Sequence, residues 1–460
     1  MSLNRDNDAV SGVNKRRAAG VTRRRFLHRC GAAAAAVGFP SIIPASALGL
    51  DGYTAPSNRV ALGFVGLGRE GKLKNLKCLM AEPDVAVVAL CEVLGKRLKG
   101  AHLAMQTYAR DPAVSNFDGC FLTGDWREVV SRPDVDAVVV ATPDHWHALV
   151  AVGAMEAGKD VLCEKPISLT IRQGRVMCET KRRYGSVFQT GSEFRAMRTL
   201  RLAAELARNG RIGKLHTIRV DIRNFAGNSP AWNPAAPPAD FDYDMWLGPA
   251  PDAPYTPLRY TNFRFISDYG GGNLTEMGPH VLSIAQWANG TELTGPVRID
   301  GLGVFPTQGL YDTPSRFEVT YEYANGTVLI CRTGEEELEK YANGKIRFEG
   351  SDGWIEATGF SIEASSPAIA SSVIEPGETH MRVCRQGELR DFLNCIKTRC
   401  SPFAPVEEEH RTASVCHLGN ISMRLGRKLE WDPVGERFVA DGNANRLLWR
   451  AMRAPWHLNS

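Results

Sequence analysis

Two clusters in this chain have the residue types and spacing needed to move protons. Glu164-Lys165-Pro166 follows directly on the apolar run Val161–Cys163, so a lysine is presented where a strand ends. A lysine so placed donates to a carbonyl or alcohol oxygen and stabilises developing negative charge. If partly desolvated, its pKa falls and it shuttles protons. A solvated strand-end ion pair satisfies the same placement. The second cluster is Asp268–His280, DYGGGNLTEMGPH. If a helix begins near Asn273, Glu276 and His280 fall at i and i+4 on one face. A carboxylate holding one ring nitrogen then aims the other at a substrate hydroxyl. The bland alternative is a helix-start histidine satisfied by a nearby glutamate. No further His or Cys clusters with this pair, so no metal is expected.

A third segment, Val60–Gly71, has the form of a phosphate cradle. The apolar run VALGFV passes straight into Gly66-x-Gly68-x-x-Gly71, the pattern of a turn that offers a helix N-terminus to a pyrophosphate. Gly66 permits the tight turn, Gly68 lets the backbone approach the phosphates, and Gly71 lets the helix pack close to the strand. A second apolar run, Val85–Leu90, ends in Cys91-Glu92. Glu92 stands about 20 residues past the glycines, where a carboxylate accepts from the adenosine ribose hydroxyls. Gly66, Leu67, Gly68, Arg69, Glu70, Gly71 and Glu92 are the expected contacts at that end. Thr142, Pro143, His147, Glu164 and Lys165, at later strand ends, complete the expected cofactor site. Glu92 favours NAD because it repels a 2′-phosphate, and Lys96 and Arg97 blunt that preference enough to keep NADP open. His145 and His147 read as site-lining.

The elements that must carry these groups alternate from Arg59 to about Gly185. Strand-like runs at Val60–Val65, Val85–Leu90, Ala137–Ala141, Val161–Cys163 and Ser186–Thr190 are separated by helical stretches such as Lys72–Ala81, Leu149–Ala157 and Ile171–Arg183. This pattern predicts a doubly wound parallel sheet over residues 59–190, with ligands at the strands' carboxyl ends. After Gly191 come a helix, Leu200–Arg208, and a strand, His216–Arg223. Then follows an irregular Pro/Trp/Asp-rich stretch, Ser229–Pro257. Alternating strands at Val297–Gly303, Arg316–Tyr323, Thr327–Thr333 and Lys345–Gly350, and helices at Gly387–Arg399 and Glu407–Leu425, predict a second α/β domain over 191–460. Its sheet is expected to be large, open and mixed or antiparallel.

Residues 1–47 read as a targeting peptide, with 48–58 as a linker. The segment holds eight Lys/Arg against Asp6 and Asp8, six net positive charges, so the remainder of a +4 chain is −2. A near-neutral body excludes a nucleic-acid footprint. Thr22-Arg23-Arg24-Arg25-Phe26-Leu27 is a twin-arginine pattern. It is followed by the alanine-rich run Gly31–Ile43 and the small-x-small site Ala45-Ser46-Ala47. The apolar run is too short to span a membrane stably. The expectation is export by twin-arginine machinery to the periplasm or beyond. That route carries folded proteins and so permits a cofactor loaded beforehand and held tightly. Ten cysteines follow Cys30, none at metal spacing; Cys91 and Cys163 read as buried thiols, and Cys395 and Cys400 are left open as a pair.

Taken together, these motifs resemble the Gfo/Idh/MocA oxidoreductases from about Arg59 to Pro455. The resemblance rests on the glycine turn, Cys91-Glu92-Val93, the run Val135–His147, Ala157–Pro166 (AGKDVLCEKP), Asp242–Pro249 (DYDMWLGP) and the glycine run ending at His280. It implies a Rossmann domain followed by an α/β domain, NAD(P)-linked chemistry on sugars, polyols or their derivatives, and homo-oligomers through the open sheet. It also implies catalytic roles for Lys165 and His280. Glu276 stands where the family has Asp, and Ser283 replaces a common aspartate. Some members resemble glycosidases that oxidise and re-reduce their substrate on a bound NAD, which keeps a redox-cycling glycosidase or lyase open, with a non-catalytic carbohydrate-binding protein behind it. Arg195, Trp232, Asn233, Arg264 and Tyr269 are the candidate substrate contacts, the aromatics as stacking faces for sugar rings.

Overall fold

A computed structural model describes residues 54–108, 119–224, 229–334 and 344–458. The twin-arginine pattern and its cleavage site lie outside the described residues. Six parallel strands, β1 (Val60–Val65), β2 (Val85–Cys91), β3 (Phe121–Thr123), β4 (Ala137–Val140), β5 (Asp160–Glu164) and β6 (Phe188–Gly191), form one sheet in the order β3-β2-β1-β4-β5-β6. β4 reads AVVV and is wholly buried, as a strand covered by helices on both faces must be. The order reverses between β1 and β4, which opens a crevice at their carboxyl ends. β3 and the helix Gly95–Tyr108 are elements the apolar runs do not announce; β3 is short, and only Thr123 of it is buried. The helix after the glycine turn starts earlier than expected, as a π-helical stretch Arg69–Leu76 continued by the α-helix Lys77–Met80.

The second sheet has nine strands: β7 (Leu215–Ile222), β8 (Arg298–Val304), β9 (Arg316–Glu322), β10 (Val328–Thr333), β11 (Gly344–Gly350), β12 (Gly353–Thr358), β13 (Ile362–Ala364), β14 (Leu429–Asp432) and β15 (Arg437–Phe438). Their order is β13-β12-β11-β7-β10-β9-β8-β14-β15. β7 and β10 pair in parallel and the remaining neighbours are antiparallel. Inward residues such as Ile218, Val220, Val319, Tyr321 and Phe348 pack against the helices Arg198–Arg208, Gly278–Asn289 and Val406–Leu425. The outward face carries charges paired across strands, for example Arg332–Asp221 and Arg298–Glu322.

The second half also returns to the first. Phe392 and Leu393, on the helix Glu388–Thr398, complete the core around Leu62, Phe64 and Leu76. Arg390 on that helix forks onto Asp84 at 2.6 and 2.9 Å, and Lys397 bonds the same carboxylate. The irregular stretch forms an aromatic arm: Phe241, Trp246, Tyr255 and Tyr269 cluster together, and the helix Tyr243–Leu247 sits within it. The arm crosses to the first sheet. Gly95 N–H donates to the Asp240 carbonyl (2.7 Å), and Asp242 N–H donates to that of Val93 (3.0 Å).

Burial works to raise the Asp84 pKa, but the bonds from Arg390 and Lys397 outweigh it and hold the carboxyl at about 2. A depressed acid contributes stability that is present above its unfolded pKa and lost as pH falls through the folded value. Arg390→Ala should therefore lower stability by about 1–3 kcal/mol at neutral pH, seen as a drop in Tm. The gap to the parent should close as the pH approaches 2.

Candidate active site

The two halves face each other across a cleft of about 930 Å³ at the carboxyl edge of β1, β2, β4 and β5. That volume is at the upper end for ligand sites. One end is built by the glycine turn. Gly66 has φ +90°, and a Cβ there would lie 2.6 Å from the Ala141 carbonyl group. A Cβ on Gly71 would meet the Gly66 oxygen at 2.1 Å, so the helix lies directly against the turn. Gly68 is different: the nearest atom to a Cβ there is Arg97 Nη1 at 3.7 Å, which leaves its cleft side open for a phosphate. Glu92 fastens this turn, accepting from Leu67 N–H (2.9 Å) and Leu94 N–H (3.0 Å) while still facing the cleft. The Leu67 amide is thus committed to Glu92 and its side chain is buried outside the cleft, which removes it from the expected cofactor contacts. Arg69, Glu70, Thr142 and Pro143 do line the cleft.

The second half roofs this end. Met245, Trp246 and Tyr260 reach into the cleft from the arm, and the Arg97 guanidinium lies 4.7 Å over the Tyr260 ring. The Trp246 carbonyl accepts from Trp146 Nε1 (3.1 Å) and lies 2.9 Å from His145 Nε2. His145 therefore anchors the arm and does not line the site; burial lowers its pKa to about 4. His147 lines the cleft, with its ring nitrogens 2.7 and 2.8 Å from the Pro166 and Thr142 carbonyls, and so ties the ends of β4 and β5 together.

The other end gathers Lys165, Glu276, Arg264, Asp144 and His280. Lys165 Nζ donates to the Glu276 carbonyl at 2.8 Å and lies 3.4 Å from its carboxylate, which also pairs with Arg264 at 2.9 Å. Burial works to raise the Glu276 pKa; the two cations prevail and keep it below the usual carboxylate value. Glu276 does not hold His280, contrary to the i, i+4 expectation. The helix breaks at Met277 into Asn273–Glu276 and Gly278–Asn289, because Pro279 has no N–H to continue the ladder. The glycines bring Arg264 and Glu276 together: a Cβ on Gly270 would lie 2.9 Å from Arg264 Cα, and Gly272 N–H donates to the Arg264 carbonyl at 2.8 Å.

His280 instead stacks on Phe194, with ring centroids 4.7 Å apart, and its Nδ1 has no partner. Burial, then Lys165 and Lys74, drive its pKa well below the ordinary value, so the ring is neutral at physiological pH. Ser283 donates to the His280 carbonyl at 3.2 Å. Behind His280, Lys74 pairs with Glu193 (2.8 Å) and Glu388 (3.0 Å), and Asn75 donates to Glu164 at 2.8 Å. Lys74, Glu193 and Asp144 line the cleft without having been singled out from sequence. Lys74 is three residues past Gly71 on the cradle's own helix, and Asp144 sits inside the Thr142–His147 run, so the signal was their place beside recognised motifs.

Of the five expected substrate contacts, only Arg264 lines the cleft. Arg195 is fully buried, paired with Glu408 (2.6 Å) and Glu409 (3.0 Å) and stacked 4.2 Å over Trp287. Tyr269 is fully buried against Trp246 and His145, with Arg259 Nη1 donating to its hydroxyl at 3.3 Å. Trp232 and Asn233 lie on the arm's outer run and do not line the cleft. Cys395 and Cys400 are both free thiols, and among the described residues no group of His, Cys, Asp or Glu has the makings of a metal site.

This architecture has known counterparts. Residues 60–192 match the model of the oxidoreductase family's NAD-binding Rossmann fold, and residues 223–458 match that of its C-terminal alpha/beta domain. The chain belongs to the Gfo/Idh/MocA oxidoreductase family. Its first half is an NAD-binding domain, and the open face of Gly68, the Glu92 carboxylate and the size of the cleft fit that cofactor. Levoglucosan dehydrogenase of Pseudarthrobacter phenanthrenivorans is 34% identical over 260 residues, 51% of this chain and 58% of that protein. A glycosyl hydrolase family 109 protein of Stenotrophomonas maltophilia is 29% identical over 231 residues, 49% of this chain and 47% of that one. The chain thus spans about half the length of these relatives. Among solved structures, the WlbA dehydrogenase from Bordetella pertussis, in complex with NADH and UDP-GlcNAcA, superposes with a TM-score of 0.61 at 16% identity, over 81% of this chain and 99% of that one.

The glycine geometry separates two effects. Gly71→Ala should lower Tm, because its Cβ collides with the Gly66 oxygen. Gly68→Ala should leave Tm within a degree or two of the parent, at about 0.5 kcal/mol or less, yet weaken NADH binding about tenfold or more, as followed by NADH fluorescence.

Proposed function

We propose that this oxidoreductase transfers a hydride between NAD and a sugar, polyol or sugar derivative. The observation that carries the reading is the meeting of Lys165, Glu276, Arg264 and His280 at one end of a cleft whose other end is the glycine turn with Glu92. NAD, when bound, supplies the hydride acceptor or donor. Lys165, held against Glu276, directs its remaining N–H groups to the substrate oxygen, steadying negative charge there. His280, neutral and lining the cleft, accepts the hydroxyl proton. Glu276 acts through Lys165, holding it in place. Arg264, beside them, donates to further substrate hydroxyls. Kinship with a levoglucosan dehydrogenase supports a carbohydrate substrate.

Lys165→Ala and His280→Ala should each reduce kcat/KM by about 10²–10⁴-fold on whichever member of a panel including levoglucosan and inositols is turned over, while NADH still binds. The second reading, a redox-cycling glycosidase, is favoured by the family 109 relative. Free sugar released from a glycoside with no net change in NADH would select it over net oxidation.

The proposal extends to export and assembly. Arg24-Arg25 and the site Ala45-Ser46-Ala47 support twin-arginine export to the periplasm or beyond. A double Arg24→Lys, Arg25→Lys chain should then stay unprocessed in the cytoplasm of a bacterial host, as read by cell fractionation. Export after folding also suits a cofactor loaded in the cytoplasm and retained, which mass analysis of the purified exported protein would detect as bound NAD(H). The charge-paired outer face of the second sheet, with Leu302 and Val304 exposed on β8, supports self-association there; light scattering reads the mass.

A further inference from the structure

Asp144 is the first residue of the helix Asp144–Glu156, directly after the turn that ends β4, and it lines the cleft while only 5% exposed. The cleft's other buried carboxylates are engaged. Glu92 accepts two backbone N–H groups, and Glu164 accepts from Asn75. Glu276 takes both nearby cations, Lys165 and Arg264. Among the described residues, Asp144 is the buried carboxylate of this cleft that no other side chain bonds; its one hydrogen-bonding group is its own backbone N–H.

The groups whose charge reaches it are Glu276, Arg264 and Lys165 from the facing elements; the Cys163 thiol feels its charge in turn, and His145 and His147 are the titratable neighbours on its own helix. Lys165 and Arg264 are already neutralised in part by Glu276, so they do not hold Asp144 ionised. Burial, with Glu276 adding to it, raises its pKa from the ordinary carboxylate value to about 7. A group at that value is half protonated under working conditions, the best match for holding a proton in transit.

Its position relative to the cofactor follows from topology. A dinucleotide whose pyrophosphate lies on the Gly66–Gly71 turn and whose adenosine reaches Glu92 crosses the point where strand order reverses, between β1 and β4. Its nicotinamide end therefore faces the ends of β4 and β5, where Asp144 and Lys165 stand. Oxidised nicotinamide is a cation; reduced nicotinamide is neutral.

We propose that Asp144 is a redox-linked proton acceptor, ionised while the cofactor is oxidised and protonated when it is reduced. This rests on the hydride-transfer reading given above. In alcohol oxidation, the substrate C–H bond breaks with its electron pair moving to the nicotinamide, and the O–H bond gives up its proton. That proton leaves the oxygen for His280, the base of that reading, and Asp144 takes it up, leaving a C=O bond on the product. NAD⁺ and carboxylate become NADH and carboxylic acid, so the buried charge of the cleft is conserved. His280 is too weak a base to keep the proton at neutral pH; Asp144 is not.

The test needs no substrate. Cofactor-free full-length mature enzyme is titrated at pH 7 in weak buffer with an indicator dye, using NAD⁺, NADH and ADP-ribose in turn. NAD⁺ should release roughly half a proton per site, the fraction bound by a group with a pKa near the working pH. NADH and ADP-ribose should release far less. Asp144→Asn should abolish the release, Asp144→Glu should retain it, and Glu388→Gln should retain it too; Glu388 is the other acid near 7, set behind Lys74. If Asp144→Asn still releases the proton, or the parent binds NAD⁺ and NADH normally and releases none, the proposal falls while the dinucleotide reading stands. If neither nucleotide binds, both fall. Asp144→Asn removes a buried acid that is costly to ionise and so should fold at least as stably above pH 7; should it fail to fold, the pair Asp144→Glu and Glu388→Gln still decides, since loss of the release in Glu388→Gln overturns the assignment.

Discussion

The constraint on which this site depends is charge balance in a partly buried cleft. Lys165 and Arg264 are brought within 3.4 and 2.9 Å of the Glu276 carboxylate at the far end of the cleft. Two cations and one carboxylate in such a place are tolerable only because each is held by the others; an isolated buried ion costs several kcal/mol. Lys165 comes from the end of β5 in the first half, and Glu276 and Arg264 come from the second. That end of the cleft therefore exists only when the two halves are docked, and the ion cluster is itself part of what docks them.

Backbone chemistry decides which groups enter that cluster. Pro279 ends one short helix and starts the next, so Glu276 and His280 do not share a helix face. Released from His280, the Glu276 carboxylate is free to take Lys165 and Arg264. The glycines at 270–272 let the chain double back against Arg264, a path that any side chain would block. His280 is left to pack on Phe194, and burial beside Lys165 and Lys74 keeps it neutral.

At the opposite end, the second half supplies cover. The aromatic arm bonds backbone to backbone onto Val93–Gly95 and brings Trp246 and Tyr260 into the cleft. Its far side is held by Arg453, whose guanidinium donates to the Gly248 carbonyl and pairs with Asp244. A stretch without helical or strand periodicity thus becomes ordered by aromatic packing and by anchors at both edges. The adenosine end is enclosed by two parts of the chain that lie about 150 residues apart, an arrangement whose closure entropy is modest once the ends are fixed.

Much of this was legible in the sequence. The parallel sheet follows from uninterrupted apolar runs spaced by helical stretches, and the cradle follows from three glycines, of which Gly66 and Gly71 admit no side chain and Gly68 leaves room for a phosphate. Lys165 and Thr142–His147 fall at strand ends because strand ends are where apolar runs stop. These are local properties: periodicity, turn chemistry and chain direction fix them before any long-range contact forms. The partners of charged side chains were not legible. Arg195 and Tyr269, candidate substrate contacts by sequence, are buried where Glu408, Glu409 and Trp287, or Arg259 and Trp246, meet them. Glu276 seemed to belong to His280 by spacing and belongs to Lys165 across 111 residues. Which charge faces which depends on the docking of two domains, and the same docking leaves Asp144 buried without a cation. Sequence determined what the groups are and which strand ends carry them; only the tertiary structure decided which of them share a cleft, because burial and Coulomb energy depend on distances that no local pattern encodes.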